Sequence, residues 1–197
     1  SVHCKRSCGG SACNSIVAAS CFGSKTFYSG KVANDDDGKF FVEDLQATGV
    51  DFHNTEASSG ITGKCLVMVT DDAERTMNTF LGANLDLTSN EVDYLSLINS
   101  DWLYLEGYLV TDDTRTDVAL KAMEFAKANQ VKTSLSLSDP FVVQVFEDNL
   151  HKVIGNGLDL LFCNSDEARS FTNTHSIEAA AEQLKKYAKT FVITCGA

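Results

Sequence analysis

The chain has 197 residues, enough for one domain with a real core or for part of a larger one. Its formal net charge is −11, and its lysines and arginines are scattered with no basic stripe, which argues against nucleic acid as a partner. Hydrophobic residues make up 44%, no apolar run approaches the roughly 20 residues that span a bilayer, and no N-terminal stretch has signal-peptide order, so the sequence predicts no membrane partner.

Seven cysteines occur, an odd number, mostly among apolar or small neighbours. That is the pattern of buried free thiols and predicts a reducing, cytoplasmic setting. Cys4, Cys8 and Cys13, with His3, raise a zinc site. Their spacing fits no closed zinc pattern and no second ligand pair follows, which argues against one.

In chain order, the glycines Gly9 and Gly10 precede a predicted helix over 14–22. A short strand follows over 26–30, then a helix over 37–48 with Phe40, Phe41 and Leu45 at helical spacing and Gly49 placed to end it. Residues 64–70 read KCLVMVT and predict a strand; Asp71, Asp72 and Ala73 make a turn; 75–80 read as the return strand. With no helix between them, these strands form a hairpin outside any parallel sheet, a lid over about 61–81. Thr88-Ser89-Asn90-Glu91 is a capping box that opens a short helix. Thereafter strands over 102–105, 132–137, 158–163 and 191–194 alternate with helices over 114–129, 141–150, from 165 through 171, and 176–188. Alternation of this kind predicts an α/β fold: a doubly wound, mainly parallel sheet with helices on both faces.

Six short patterns occur in order. They are Gly9-Gly10-Ser11-Ala12-Cys13-Asn14-Ser15; the stretch from Ser29 to Gly38; Leu81-Gly82-Ala83-Asn84; Asp139-Pro140; Asn164-Ser165-Asp166-Glu167; and Val192-Ile193-Thr194-Cys195-Gly196. Together they resemble the ribokinase-like (PfkB) family of sugar and nucleoside kinases along essentially the whole chain, with Ala33 where the family usually has glycine. The resemblance implies ATP and Mg2+ as cofactors and a small sugar or nucleoside as substrate. It assigns Gly9, Gly10 and Asn14 to the substrate: glycines let backbone approach a ligand, and an asparagine amide suits adjacent hydroxyls. Glu106, at a strand's carboxyl end, is a further substrate candidate, with a solvated acid as the alternative. Asp139 is read equally as a site acid or an Asp-Pro turn. The resemblance gives Glu167 to magnesium through its waters, and Asn164, Thr194 and Gly196 to the nucleotide, while Asn164 and Glu167 also read as a helix cap. Arg75, on the lid, is read as an exposed arginine before a substrate contact.

The family's Gly-Ala-Gly-Asp segment, with its anion hole and general base, is not found, and the family's first strand would precede Ser1. The expectation is therefore a partial ribokinase-like domain over 1–197, inactive alone, from an adenosine kinase-like enzyme. A hexose or keto-sugar-acid kinase is the alternative, and a non-catalytic sugar- or nucleoside-binding fragment the alternative of another class. Monomer and lid-paired homodimer both remain open.

Overall fold

The computed structural model describes residues 5–52, 59–72 and 75–196. The chain divides into two compact units, Ser1–Val92 and Asp93–Ala197. His3 and Cys4 of the cysteine cluster, and Ala73 of the hairpin turn, lie outside the described residues.

In the first unit, helix α1 (Ser11–Cys21) leads to strand β1 (Thr26–Tyr28), helix α2 (Asp36–Ala47) and strand β2 (Val50–Phe52). Strands β1 and β2 pair in parallel, Thr26 opposite Val50, so β1-α2-β2 is one crossover unit. The three-residue β2 escaped the sequence reading because so short a run shows no alternation. Its apolar ends are buried with Cys13, Val32 and Leu45, while Tyr28, Phe41 and Phe52 form a ring cluster with centroids 5.9–6.1 Å apart.

Helix α2 begins one residue earlier than its apolar spacing predicts, because Asp35 caps it. Asp35 accepts from the Gly38 N–H at 2.8 Å, from the Thr62 N–H at 2.9 Å and from the Thr62 hydroxyl at 2.6 Å. The same hydroxyl oxygen accepts from the buried N–H of Ala33 at 3.0 Å. One carboxylate thus ties the turn after β1 to the approach of the hairpin. The Thr62 hydroxyl, then the Thr62 and Gly38 N–H groups, hold its pKa down at about 2. A depressed carboxyl stabilises the fold above its unfolded value, and that contribution is lost as pH falls through about 2. Asp35→Ala is expected to destabilise the first unit by about 1–2 kcal/mol through loss of a cap and orphaning of Thr62. Urea titrations at pH 7 and at pH 2 should show the gap between wild type and variant narrowing at the lower pH.

Strands β3 (Lys64–Val69) and β4 (Arg75–Phe80) form the expected antiparallel hairpin, with Val69 opposite Arg75. Every residue of both strands is exposed, including Leu66, Met68, Val69 and Met77. The capping box at Thr88 and Glu91 is present, but it opens only a single 3-10 turn, Ser89–Glu91. Buried Glu91 accepts the Thr88 N–H at 2.7 Å with one oxygen and pairs with Lys31 at 2.9 Å through the other, and Lys31 also donates to the Asp86 carbonyl.

In the second unit, helix α3 (Tyr94–Ile98), which the sequence reading left out, precedes β5 (Trp102–Glu106). Then follow α4 (Asp113–Ala128), β6 (Lys132–Ser136), α5 (Pro140–Val145), α6 (Glu147–Ile154), β7 (Leu158–Asn164), α7 (Ser165–Thr172), α8 (Ile177–Leu184) and β8 (Ala188–Thr194). The sheet order is β5-β6-β7-β8, all parallel. Alternate residues Leu105, Leu135, Leu161 and Cys163 join Val110, Met123, Val143, Ile154, Phe171 and Leu184 in one core, where strands meet helices.

Two predicted helices are corrected. The helix over 141–150 is two, because the chain leaves helical angles at Phe146 (φ −119°), whose ring packs edge-on against Phe141. The helix over 176–188 stops at Leu184, because residues from Ala188 pair with β7 from Leu158 onward. Pairing along a whole neighbouring strand outweighs a helix preference of a few tenths of a kcal/mol per residue, roughly.

Candidate functional site

Because the sheet of the second unit is parallel, the carboxyl ends of its four strands lie on one edge. In open α/β sheets that edge is where ligands bind. The register sets Glu106 beside Ser136, Ser136 beside Phe162, and Asn164 beside Thr194.

Alternation along β5 turns Leu105 into the core and sets Tyr104 and Glu106 on the opposite face. Glu106 is only 6% exposed, so it is not a solvated acid. Tyr104 donates its hydroxyl to one carboxylate oxygen at 2.6 Å, and Ser138 donates to the other at 2.6 Å. The Ser138 oxygen in turn accepts the Gly107 N–H at 2.8 Å. Glycine is required at 107: a Cβ there would stand 2.6 Å from the Leu137 carbonyl oxygen.

Asp139 caps α5, accepting the Phe141 N–H at 2.7 Å, with Pro140 at the first helical position. The turn reading of Asp139-Pro140 therefore holds. Asp139 also belongs to a group of acids. Burial first, then the carboxylates of Asp139, Glu106 and Glu167, raise the pKa of the Tyr108 hydroxyl.

Asn164 and Glu167 form a reciprocal cap at the start of α7. Asn164 accepts the Glu167 N–H at 2.8 Å, and Glu167 accepts the Asn164 backbone N–H at 3.0 Å and its side-chain amide at 2.7 Å. Glu167 is 4% exposed. Burial raises its pKa against the pull of the Asn164 N–H, and Asp139, Glu106 and Asp166 add to the rise. Among the described residues, no lysine or arginine ion-pairs with Glu106, Asp139 or Glu167. Thr194 and Gly196 are exposed at the end of β8.

The second unit thus brings Glu106, Asp139, Asn164, Glu167 and Thr194 to one edge. Gly9, Gly10 and Asn14 belong to the first unit, at the start of α1. Gly10 has φ +110°, which excludes an ordinary side chain, and its carbonyl accepts the Asn14 N–H at 2.8 Å. Gly9, Gly10 and Asn14 are all exposed. The preceding segment lies along α2: the Cys8 N–H donates to Asp44 at 2.6 Å, and Arg6 pairs with Asp37 and sits over the Phe40 ring. Arg75 is exposed on β4, as read.

Tyr104, Tyr108 and Ser138 were missed. The WLYLE alternation could have placed Tyr104 with Glu106. A serine in left-handed backbone has no comparable sequence signal. Among the described residues, no three His, Cys, Asp or Glu side chains stand together as a direct metal cage.

Comparison with known proteins agrees with the parallel α/β fold. Residues 2–197 match the family profile described as "pfkB family carbohydrate kinase". Adenosine kinase 2 of Arabidopsis thaliana is 28% identical over 187 residues, covering 87% of this chain and 53% of that protein. A 5-dehydro-2-deoxygluconokinase of Clostridium botulinum is 31% identical over 131 residues, covering 64% of this chain and 38% of that protein. The crystal structure of adenosine kinase from Sinorhizobium meliloti superposes with a TM-score of 0.89 at 32% identity, covering 95% of this chain and 58% of the other. The chain therefore spans about half the length of the curated adenosine kinase it matches. The doubly wound α/β fold, the order of the six patterns and a family match over nearly every residue lead to one conclusion: this chain belongs to the pfkB family of carbohydrate kinases.

Proposed function

We propose that the protein containing this chain transfers the terminal phosphoryl group of ATP to a primary hydroxyl of a nucleoside or ribose-like sugar. The observation that carries the reading is the row of Glu106, Asp139, Asn164, Glu167 and Thr194 along the carboxyl edge of the parallel sheet. In this reading Gly9, Gly10, Asn14 and Glu106 bind the substrate, and Asn164, Thr194 and Gly196 meet the nucleotide. None of the residues 1–197 is assigned as the general base.

Magnesium fits the donor set. Glu106, Asp139 and Glu167 concentrate negative charge without an ion-paired cation among the described residues, and Glu167 is buried with a raised pKa. A divalent ion would relieve that charge. Glu167 would hold it through water, as magnesium keeps much of its hydration shell. When bound, the ion would neutralise phosphate charge during transfer. The hairpin serves as a lid that excludes water. Six described cysteines are free thiols, which supports a reducing, cytoplasmic setting.

Initial rates of ATP-dependent phosphorylation, measured with the full-length protein on adenosine, inosine, ribose and fructose, test the reading. Adenosine is expected to be preferred. Equal turnover of adenosine and fructose would remove the support for a nucleoside. The likeness to a 5-dehydro-2-deoxygluconokinase favours a keto-sugar-acid substrate as the second reading. Asn14 is exposed, so Asn14→Ala is expected to raise KM by about tenfold, the worth of one or two hydrogen bonds, while leaving the thermal midpoint in place. An unchanged KM would remove Asn14 from the substrate site.

A further inference from the structure

Ser138 holds an unusual backbone. Its φ is +72°, the left-handed region that residues with a Cβ seldom occupy. Such a conformation costs about 1 kcal/mol or more and persists only where its surroundings enforce it. Here the surroundings are a set of hydrogen bonds. The Ser138 hydroxyl donates to Glu106 at 2.6 Å and its oxygen accepts the Gly107 N–H at 2.8 Å. The Ser138 N–H reaches the Ser136 hydroxyl at 3.2 Å, and the Ser138 carbonyl receives the Tyr108 hydroxyl at 3.4 Å. One side chain therefore joins the end of β5 to the end of β6.

An ordinary turn would take glycine or asparagine at this φ without strain. Neither carries a hydroxyl that can donate to a carboxylate and accept a backbone N–H through the same atom. The second oxygen of Glu106 is held from the other side by Tyr104. Two hydroxyl donors, one on each oxygen, keep the buried carboxyl group in one rotamer. The acceptor sites left on those oxygens suit a ligand rich in hydroxyl donors.

We infer that Ser138 is a positioning residue, whose hydroxyl fixes the Glu106 carboxylate in the orientation that receives the hydroxyls of the substrate. The inference rests on the proposed substrate role of Glu106.

The test uses three variants of the full-length protein, assayed with whichever of adenosine, inosine, ribose and fructose it phosphorylates. Ser138→Gly removes the hydroxyl and relieves the backbone, so the fold is kept. It is expected to raise the sugar or nucleoside KM by about tenfold with kcat within about twofold, at an unchanged thermal midpoint. Ser138→Asn accepts the left-handed backbone and carries an amide donor; it is expected to restore KM to within about threefold of wild type. A wild-type KM in Ser138→Gly, or a midpoint that falls while KM holds, overturns the inference and leaves Ser138 a structural tie. Glu106→Gln separates the two layers. If it leaves KM unchanged, the substrate role of Glu106 fails and the inference falls with it. If it raises KM while Ser138→Gly does not, only the role of Ser138 fails. Phosphorylation of none of the four compounds overturns both.

Discussion

Glu167→Gln in the full-length protein is expected to lower turnover by about 10–100-fold, the usual cost of losing a carboxylate that orients a metal's surroundings. Stability is expected to move by only about 1 kcal/mol, because two effects oppose each other. Glutamine keeps one acceptor for Asn164 and loses the other, so one of the two bonds from Asn164 is given up. Against this, glutamine removes a buried negative charge that faces Asp139 and Glu106. The sign follows from the raised pKa of Glu167. A carboxyl titrating above its unfolded value stabilises the fold at low pH, and that contribution is lost as pH rises through the folded value. Once ionised, Glu167 therefore costs stability, and glutamine escapes that cost. Thermal midpoints at pH 5 and pH 8 should show the variant gaining relative to wild type at the higher pH. A turnover loss matched by a collapse of the midpoint would make Glu167 a cap only.

Leu161→Ala is expected to destabilise the second unit by about 3 kcal/mol, within the 2–5 kcal/mol typical of a buried leucine. Leu161 is fully buried at the centre of β7. Its register neighbours are Leu135 on β6 and Phe191 on β8, so its loss opens a hole on the face the helices cover. β-strand neighbours on both sides are hydrogen-bonded and cannot move in to fill it. Urea titration should show a lower midpoint with little change in slope. A change below about 1 kcal/mol would mean that the helix layer repacks.

The same leucine shows why much of the fold was legible. LDLLFCN has an unbroken apolar run from Leu160 to Cys163, as a strand covered on both faces should, and the alternation of such runs with amphipathic stretches sets the parallel α/β class. The hairpin was legible because KCLVMVT and RTMNTF are joined by a polar turn with no helix between them. Element ends were less so. Whether 185–190 is helix or strand depends on what lies beside it, and Leu158 lies thirty residues away in sequence from its partner Ala188. Strand β2 is three residues long, and its pairing with β1 depends on the crossover through α2.

By itself the sequence determined the class of the fold, the order of its longer strands and helices, the hairpin, and the six patterns that mark the family. These are local signals: periodicity, caps, turns and short motifs act over a few residues. Only the tertiary structure decided what each strand-end residue does there. It buried Glu106 between Tyr104 and Ser138 and turned Ser138 left-handed. Those features arise from chain segments about thirty residues apart meeting at one sheet edge, and such meetings are set by strand register and core packing, which no local pattern encodes.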